Sequence, residues 1–469
     1  MLKIYNTLHR NKEEFKPLKK NGVSFYYCGP TVYWIQHIGN MRGLFCADIV
    51  IRTLQYLGYK VKSVRNYTDV GHLTSDSDQG EDKIEKAAKK EKLTPHQIAQ
   101  KYIGIYEKDA KDLNTLEPKY KPKATECIGE IIEMIQILID QGYAYKSDLA
   151  VYFDVSKYEK YNQLSGQNLE EQIQGAGKGD VDDPNKKNPA DFVLWFFKAG
   201  KHKKALQYWA SPFESSLAEN GEGFPGWHIE CSVMAKKYLG KTIDIHMGGI
   251  EHVSVHHTNE IAQSESANQV KFVNYWIHNE HLLMDNKKMS KSIGNVLTLD
   301  QIKEKGFNPL ALRYLFLQAH YRSKQNFTWA ALESAQKGYD HLISQVKELG
   351  DQEGQIDQEL KKEFTQKISD DFNSPLALTL IQNVLKSKLS NPDKLSTLLD
   401  FDSILGLGLN KIEKKEILIP QEIKELVQKR EKAREEKNFE ESDQIRKEIE
   451  KKGYQVKDTS EGTKLSPKH

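Results

Sequence analysis

The segment Val23-Ser24-Phe25-Tyr26-Tyr27-Cys28, bounded by Gly22 and by Gly29-Pro30, decides the fold. It is short, aromatic and β-branched, as a buried strand should be. From about Gly39 the residues Leu44, Ala47, Val50, Ile51, Leu54 and Leu57 recur at helical spacing, and Gly58 stops the run. Val61 to Val64 then reads as a second strand. Strand, helix and strand in this order predict a parallel sheet with a right-handed crossover, and ligands of such sheets sit beyond the carboxyl ends of the strands. Cys28 and the loop after it lie at such an end.

Working outward, Gln79 to Lys92 mixes Glu and Lys as a solvated helix face does. Thr125 to Ile139 reads as a helix, Tyr143 to Val155 as a hairpin around Ser147-Asp148, and Gly175 to Lys187 as a loop. The block 124–224 is therefore expected to be a module inserted between two halves of the sheet domain, 1–123 and 225–327. After Phe327 the pattern turns helical, with breaks at Glu353 to Gln358 and at Ile417 to Pro420. That divides a bundle, 328–416, from a tail, 417–469. In the tail, Ile423 to Lys437 and Phe439 to Lys452 read as charged helices, and Tyr454 to Val456 as a short strand.

With 469 residues the chain calls for two to four domains. Four scattered cysteines do not make a disulfide framework, so a reducing cytoplasm is expected. No apolar run approaches the ~20 residues of a membrane span, and the first residues show no secretory signal. A formal charge of +2 argues against coating nucleic acid through bulk charge, but leaves recognition by local patches and shape open.

Three constellations carry chemistry. His37-Ile38-Gly39-Asn40 stands at the start of the first helix, where unpaired N–H groups favour a phosphate. His37 and Asn40 share one face, and Gly39 lets an adenine ring lie against the backbone. Lys288-Met289-Ser290-Lys291-Ser292, followed by Ile293-Gly294-Asn295, sets two flexible point charges in a polar loop, suited to clamping a departing pyrophosphate. Cys28, Cys231, His256 and Glu260 are residue types that bind zinc, and the last two fall on one helix face.

In HIGN and KMSKS the chain resembles the class I aminoacyl-tRNA synthetases, whose signatures are HIGH and KMSKS. PGWHIEC, residues 225–231, and HHTNEIAQS, residues 256–264, resemble segments of cysteinyl-tRNA synthetases, as do YYCGPTVY, NPADFVLW and DDFNSP. Asn40 stands where the signature has His, and Thr258 where the family has Glu. Met247 to Glu251 replaces a more glycine-rich run, and GHLTSDSDQGE is inserted after Val70. Lys464 stands where the family tail usually has Trp.

The resemblance implies an α/β protein: a Rossmann-like parallel-sheet catalytic domain with an inserted connective module, then a helical bundle and a small anticodon-binding tail. It implies a monomer that joins L-cysteine to AMP from ATP and Mg²⁺, then to the 3′ end of tRNA(Cys). Zinc ligands fall on Cys28, Cys231, His256 and Glu260. His37, Asn40, Lys288 and Lys291 would act on the phosphates, with Gly39 beneath the adenine. Trp227 would line the pocket, and Thr68, just after a strand end, would contact the substrate amine or carboxylate. Two other readings stay open here: the related cysteine ligase of mycothiol synthesis, whose C-terminus is shorter, and a non-catalytic tRNA-binding paralogue.

Overall fold

The computed structural model describes residues 1–71, 82–167, 183–289, 296–412, 420–459 and 462–467. By internal contacts the chain forms two compact units, Met1–Asn410 and Lys411–His469.

The first unit is built on a four-stranded parallel sheet in the order Val273–Asn279, Ile243–Gly249, Gly22–Tyr27, Lys60–Arg65. The two strands expected from the opening segment pair in the register Val23 to Val61 and Tyr27 to Arg65. Phe25 and Tyr26 are fully buried, which is why this strand shows no polar alternation. The helix Ile38–Tyr56 connects the two strands, and Gly58, at φ +89°, turns the chain out of it in a conformation glycine adopts without strain. The carboxyl ends at Tyr27, Gly249 and Asn279 all face one cleft.

Residues 124–225 hold a 3₁₀ turn Ala124–Cys127, the helix Ile128–Asp140 and a four-stranded antiparallel sheet. That sheet begins with the expected hairpin, Ala144–Lys146 against Ala150–Phe153, and continues through Phe192–Phe197 to Gly223–Pro225. Every residue of Phe192–Phe197 is buried, so its apolar run is that of a strand covered on both faces. The charged stretch forms the helix Lys83–Glu91, which buries Ile84, Glu85 and Ala88 and exposes Lys86, Lys89 and Lys90. The inserted 72–81, and 175–182 of the expected loop, lie outside the described residues.

Beyond Phe327 come the helices Trp329–Glu348, Gln358–Ile368, Ser374–Lys386 and Asn391–Leu405. Arg313, on the preceding helix Pro309–Leu317, is wholly buried and donates to the Asp48 carboxylate at 2.6 Å, the Leu405 carbonyl at 2.6 Å and the Leu113 carbonyl at 3.0 Å. A buried guanidinium is tolerable only when its donors are used in this way, and here they fix the bundle to the first helix.

The second unit consists of the helices Gln421–Glu435 and Phe439–Lys451 and a hairpin, Tyr454–Thr459 against Gly462–Pro467, around Ile423, Ile449 and Val456. Only the first hairpin strand was expected, because Thr463-Lys464-Leu465-Ser466-Pro467 has little apolar alternation. Arg430, nearly buried, grips the Asp458 carboxylate through both terminal nitrogens at 2.7 and 2.8 Å. Among the described residues no helix is long and apolar enough to cross a membrane.

Candidate functional site

The cleft beyond the carboxyl ends of the parallel sheet has a volume of about 410 Å³. Its walls include Cys28, His37, Gly39, Asn40 and Trp227. His37 is the residue before the first turn of the helix Ile38–Tyr56, and its Nδ1 accepts from the Asn40 N–H at 3.3 Å. The positive end of a long helix thus points into the cleft beside both side chains. A Cβ at Gly39 would lie 2.9 Å from the His37 ring, so glycine keeps this wall flat.

The two sequence signatures meet here. The Ile38 N–H donates to the Leu297 carbonyl at 2.8 Å, just past the lysine loop. The sulfur of Met289 lies 3.7 Å from where a Gly39 side chain would begin. Lys288 sits on the short exposed strand Lys287–Lys288, which pairs antiparallel with Leu282–Met284, and it is not part of the cleft wall. Lys291 lies outside the described residues.

Cys28, on the cleft wall, follows the strand Gly22–Tyr27; buried behind it, Cys231 lies in the second turn of the helix Trp227–Leu239, and His256 and Glu260 lie one turn apart on the helix His256–Asn268. One donor atom from each of the four lies within 4.8 Å of the others. Glu260 is completely buried, yet its Oε1 has no hydrogen-bond partner, although His256 Nε2 is 3.1 Å away at an unsuitable angle. Hydrogen bonding from the Cys28 thiol, helped by His256, pulls the Cys231 thiol down to about 6 against burial and the Glu260 charge. Burial, with the hydrogen bond to Cys231 and the charges on Cys231 and Glu260, pushes Cys28 up. Burial opposes ionisation of both Glu260 and His256. Charges on His246 and His256 nevertheless hold Glu260 down to about 2, and Glu260 and Cys231 lift His256 to about 10. Two sulfurs, one nitrogen and one oxygen within 4.8 Å of one another match the donor types that bind zinc.

Around these donors stands a ring of histidines that the sequence reading missed. His246 Nε2 is 2.9 Å from the other Glu260 oxygen, His228 Nδ1 is 2.9 Å from His256 Nδ1, and His257 Nδ1 is 2.7 Å from His278 Nε2. His246 and His278 come from the neighbouring strands Ile243–Gly249 and Val273–Asn279. A second set, Cys28, His246, His257 and Glu260, also brings its donor atoms within 4.8 Å. A histidine inside an otherwise apolar strand run was the available signal. Trp227 stacks on His256 with ring centroids 4.3 Å apart. Thr68 is 2% exposed, donates to Glu230 at 3.0 Å and is not on the cleft wall. Glu230 is itself pushed well up by burial and by the Cys231 charge.

Residues 14–337 match the family described as tRNA synthetases class I (C) catalytic domain, and residues 418–464 match the cysteinyl-tRNA ligase anticodon binding domain. The cysteine–tRNA ligase of Treponema denticola is 41% identical over 97% of this chain and 98% of its own length. Those of Chlorobaculum tepidum and Caldicellulosiruptor saccharolyticus are 40% and 42% identical, over 100% and 99% of this chain and 99% of their own lengths in each case. The fold resembles Mycobacterium tuberculosis methionyl-tRNA synthetase bound by methionyl-adenylate, with a TM-score of 0.57 at 13% identity, covering 83% of this chain and 93% of that one. The sheet, the helix that opens on the cleft and the two matched families together make this chain a member of the class I cysteine–tRNA ligases.

Proposed function

We propose that the chain activates L-cysteine with ATP to cysteinyl-AMP and transfers it to the 3′ end of tRNA(Cys), reading the amino acid by its thiol. The observation that carries this reading is the sulfur, nitrogen and oxygen donor set that reaches, through Cys28, a cleft walled in part by the N-terminus of a long helix. Cys28, Cys231, His256 and Glu260 would hold zinc, a borderline-soft cation that favours a thiolate over the alcohol of serine, which an apolar pocket rejects poorly.

The chemistry needs no protein nucleophile. The cysteine carboxylate attacks the α-phosphate of Mg²⁺-ATP, and the chain must align the two and neutralise charge on the leaving pyrophosphate. His37 and Asn40 bind phosphate oxygens together with the helix end, and Gly39 leaves the adenine its place. Lys288 and Lys291 close on the pyrophosphate. Trp227 bounds the amino-acid side of the cleft and, stacked on His256, holds that ring in place. Thr68 acts at one remove, through Glu230, by fixing the helix that carries Cys231. The halves 1–123 and 225–327 form the catalytic domain around the module 124–224. The bundle 328–416 follows, and the tail 417–469 contacts the anticodon of tRNA in a monomeric, cytoplasmic enzyme.

Pyrophosphate exchange measured with each amino acid in turn tests the first half of this scheme. Cysteine should support exchange and serine should not, by far more than the ~100-fold that an apolar pocket achieves. Removing Gln421 to His469 should leave exchange largely intact and cut transfer to tRNA sharply. Exchange that needs no cysteine, or full-rate transfer without the tail, would overturn the corresponding half.

A further inference from the structure

The loop that leads into the helix Ile38–Tyr56 carries two aromatic residues side by side, Tyr33 and Trp34. Tyr33 is part of the cleft wall; Trp34 lies just outside it and is 37% exposed. The exposed indole is nevertheless held in place. Its ring centroid is 6.2 Å from that of Tyr102, whose hydroxyl donates to Glu91, and Glu91 also takes the Lys101 ammonium at 2.6 Å. Lys90 Nζ stands 5.5 Å from the Trp34 ring, and Lys83 Nζ stands 5.9 Å from the Tyr33 ring. Lys83 shares the cleft wall, and its helix also exposes Lys86 and Lys89.

A fixed aromatic face flanked by ammonium groups is how an unpaired strand is gripped without regard to sequence: the base stacks and the phosphates meet the charges. Nothing in the activation half of the reaction calls for it. The ATP phosphates and adenine are served by His37, Gly39 and Asn40 inside the cleft. The polynucleotide, by contrast, must bring its terminal hydroxyl into the cleft from outside, and Trp34 stands just outside the wall. We propose, resting on the aminoacylation reading above, that Trp34 is the platform on which an unpaired base near the 3′ end of the tRNA stacks, with Lys90 and Lys83 on its phosphates. A nucleobase could also come from ATP; the location of Trp34 outside the cleft wall favours the tRNA.

The test uses the full-length, zinc-loaded enzyme and the variants Trp34→Ala, Trp34→Phe and Lys90→Ala. Trp34→Ala should raise the KM for tRNA in aminoacylation by about tenfold, the scale of one lost stacking contact. Trp34→Phe should recover most of that loss, which a purely structural role for the indole would not grant. Lys90→Ala should reduce the slope of log affinity against log salt by about one. The KM for ATP in cysteine-dependent exchange should move less than about twofold, because one stacking contact is at issue and it belongs to the RNA. An unchanged KM for tRNA in Trp34→Ala overturns the proposal. A raised KM for ATP reassigns the indole to the adenine. If a tRNA shortened at its single-stranded 3′ end loses as much affinity in the variant as the intact one does, the contact lies elsewhere on the RNA. Failure of the unaltered enzyme to carry out exchange with cysteine would strike the parent reading instead, and is seen separately.

Discussion

Two groups of ionisable side chains, one behind the cleft wall and one around Asp109, are built on opposite principles. Behind the cleft wall, His256 and Glu260 hold each other ionised, Cys231 is held down by hydrogen bonding from Cys28 and by His256 against the Glu260 charge, and the donor atoms of all three lie close together with that of Cys28. On the helix Pro95–Asp112, Asp109 feels the charges of Asp300 and Asp112, which raise it, and those of Lys303 and Lys108, which lower it. Lys303 spans Asp112 at 2.7 Å and Asp300 at 2.6 Å, so its charge is already shared between two carboxylates. Asp109 is 1% exposed with Oδ1 unpartnered, and burial, with the Asp300 and Asp112 charges, pushes it up to about 7. A displaced pKa is therefore no mark of function by itself. Convergence of complementary donors is what separates the site from the strain.

The largest effect should come from breaking that convergence. Cys231→Ala should take bound zinc from about one per chain to near none and lower kcat/KM for cysteine in exchange by roughly 10³-fold or more. Metal analysis of the purified variant reads the first and pyrophosphate exchange the second. Full activity without metal would reduce the donor set to a second case of buried strain. Next comes the proposed clamp, of which Lys288 lies exposed on the strand Lys287–Lys288. Lys288→Ala should lower exchange by about 100-fold, the scale of one lost donor to a developing charge, with zinc content unchanged. Lys291→Ala should act in the same direction. A loss of metal in either variant would show that clamp and donor set are not independent.

His246 sharpens the comparison at a smaller scale. Its Nε2 holds one oxygen of Glu260 and leaves the other turned toward the donors. His246→Gln keeps a hydrogen-bonding group but loosens this hold, and zinc affinity measured by competition with a chelator should fall about 10-fold. No change would mean that the helix His256–Asn268 alone orients the carboxylate.

How much of this was legible follows from how local each feature is. The strand at Val23 to Cys28, the helix after it and the hairpin at Ser147-Asp148 are set by neighbours in sequence, and they stand where their patterns put them. His256 and Glu260 could be paired because one helix turn relates them. His246, His278 and His228 stand in the same cluster but come from two strands and another helix, so no spacing links them to His256. Only a polar residue inside a buried run hints at each. Thr68 shows the reverse case: a strand-end position suggested a substrate contact, but its hydroxyl turns to Glu230, a residue far along the chain. The partner strand Gly462–Pro467 escaped notice because a two-stranded hairpin against a small core needs few apolar residues.

The smallest effect concerns Asp109 and its sign can be worked out. An unfolded Asp titrates near ~3.9, and in the fold the group is raised to about 7. Below ~4 both states hold the proton and the residue costs nothing. Between ~4 and 7 the folded state binds more protons than the unfolded one, so stability falls as pH rises, and above 7 the cost is complete. Asp109→Asn keeps the shape and removes the charge. It should therefore raise the apparent Tm by about 2–4 °C at pH 8.5 and by about half as much at pH 5.5, midway through the window, read by thermal unfolding at matched ionic strength. The growth of the difference with pH is the decisive feature, since a change in packing alone would be the same at both. If the variant is instead less stable at pH 8.5, the ionised carboxylate has an attractive partner. The cluster of Asp109, Asp112 and Asp300 would then have to be reconsidered as a cation site, and the contrast with the donor set would be one of degree and not of kind.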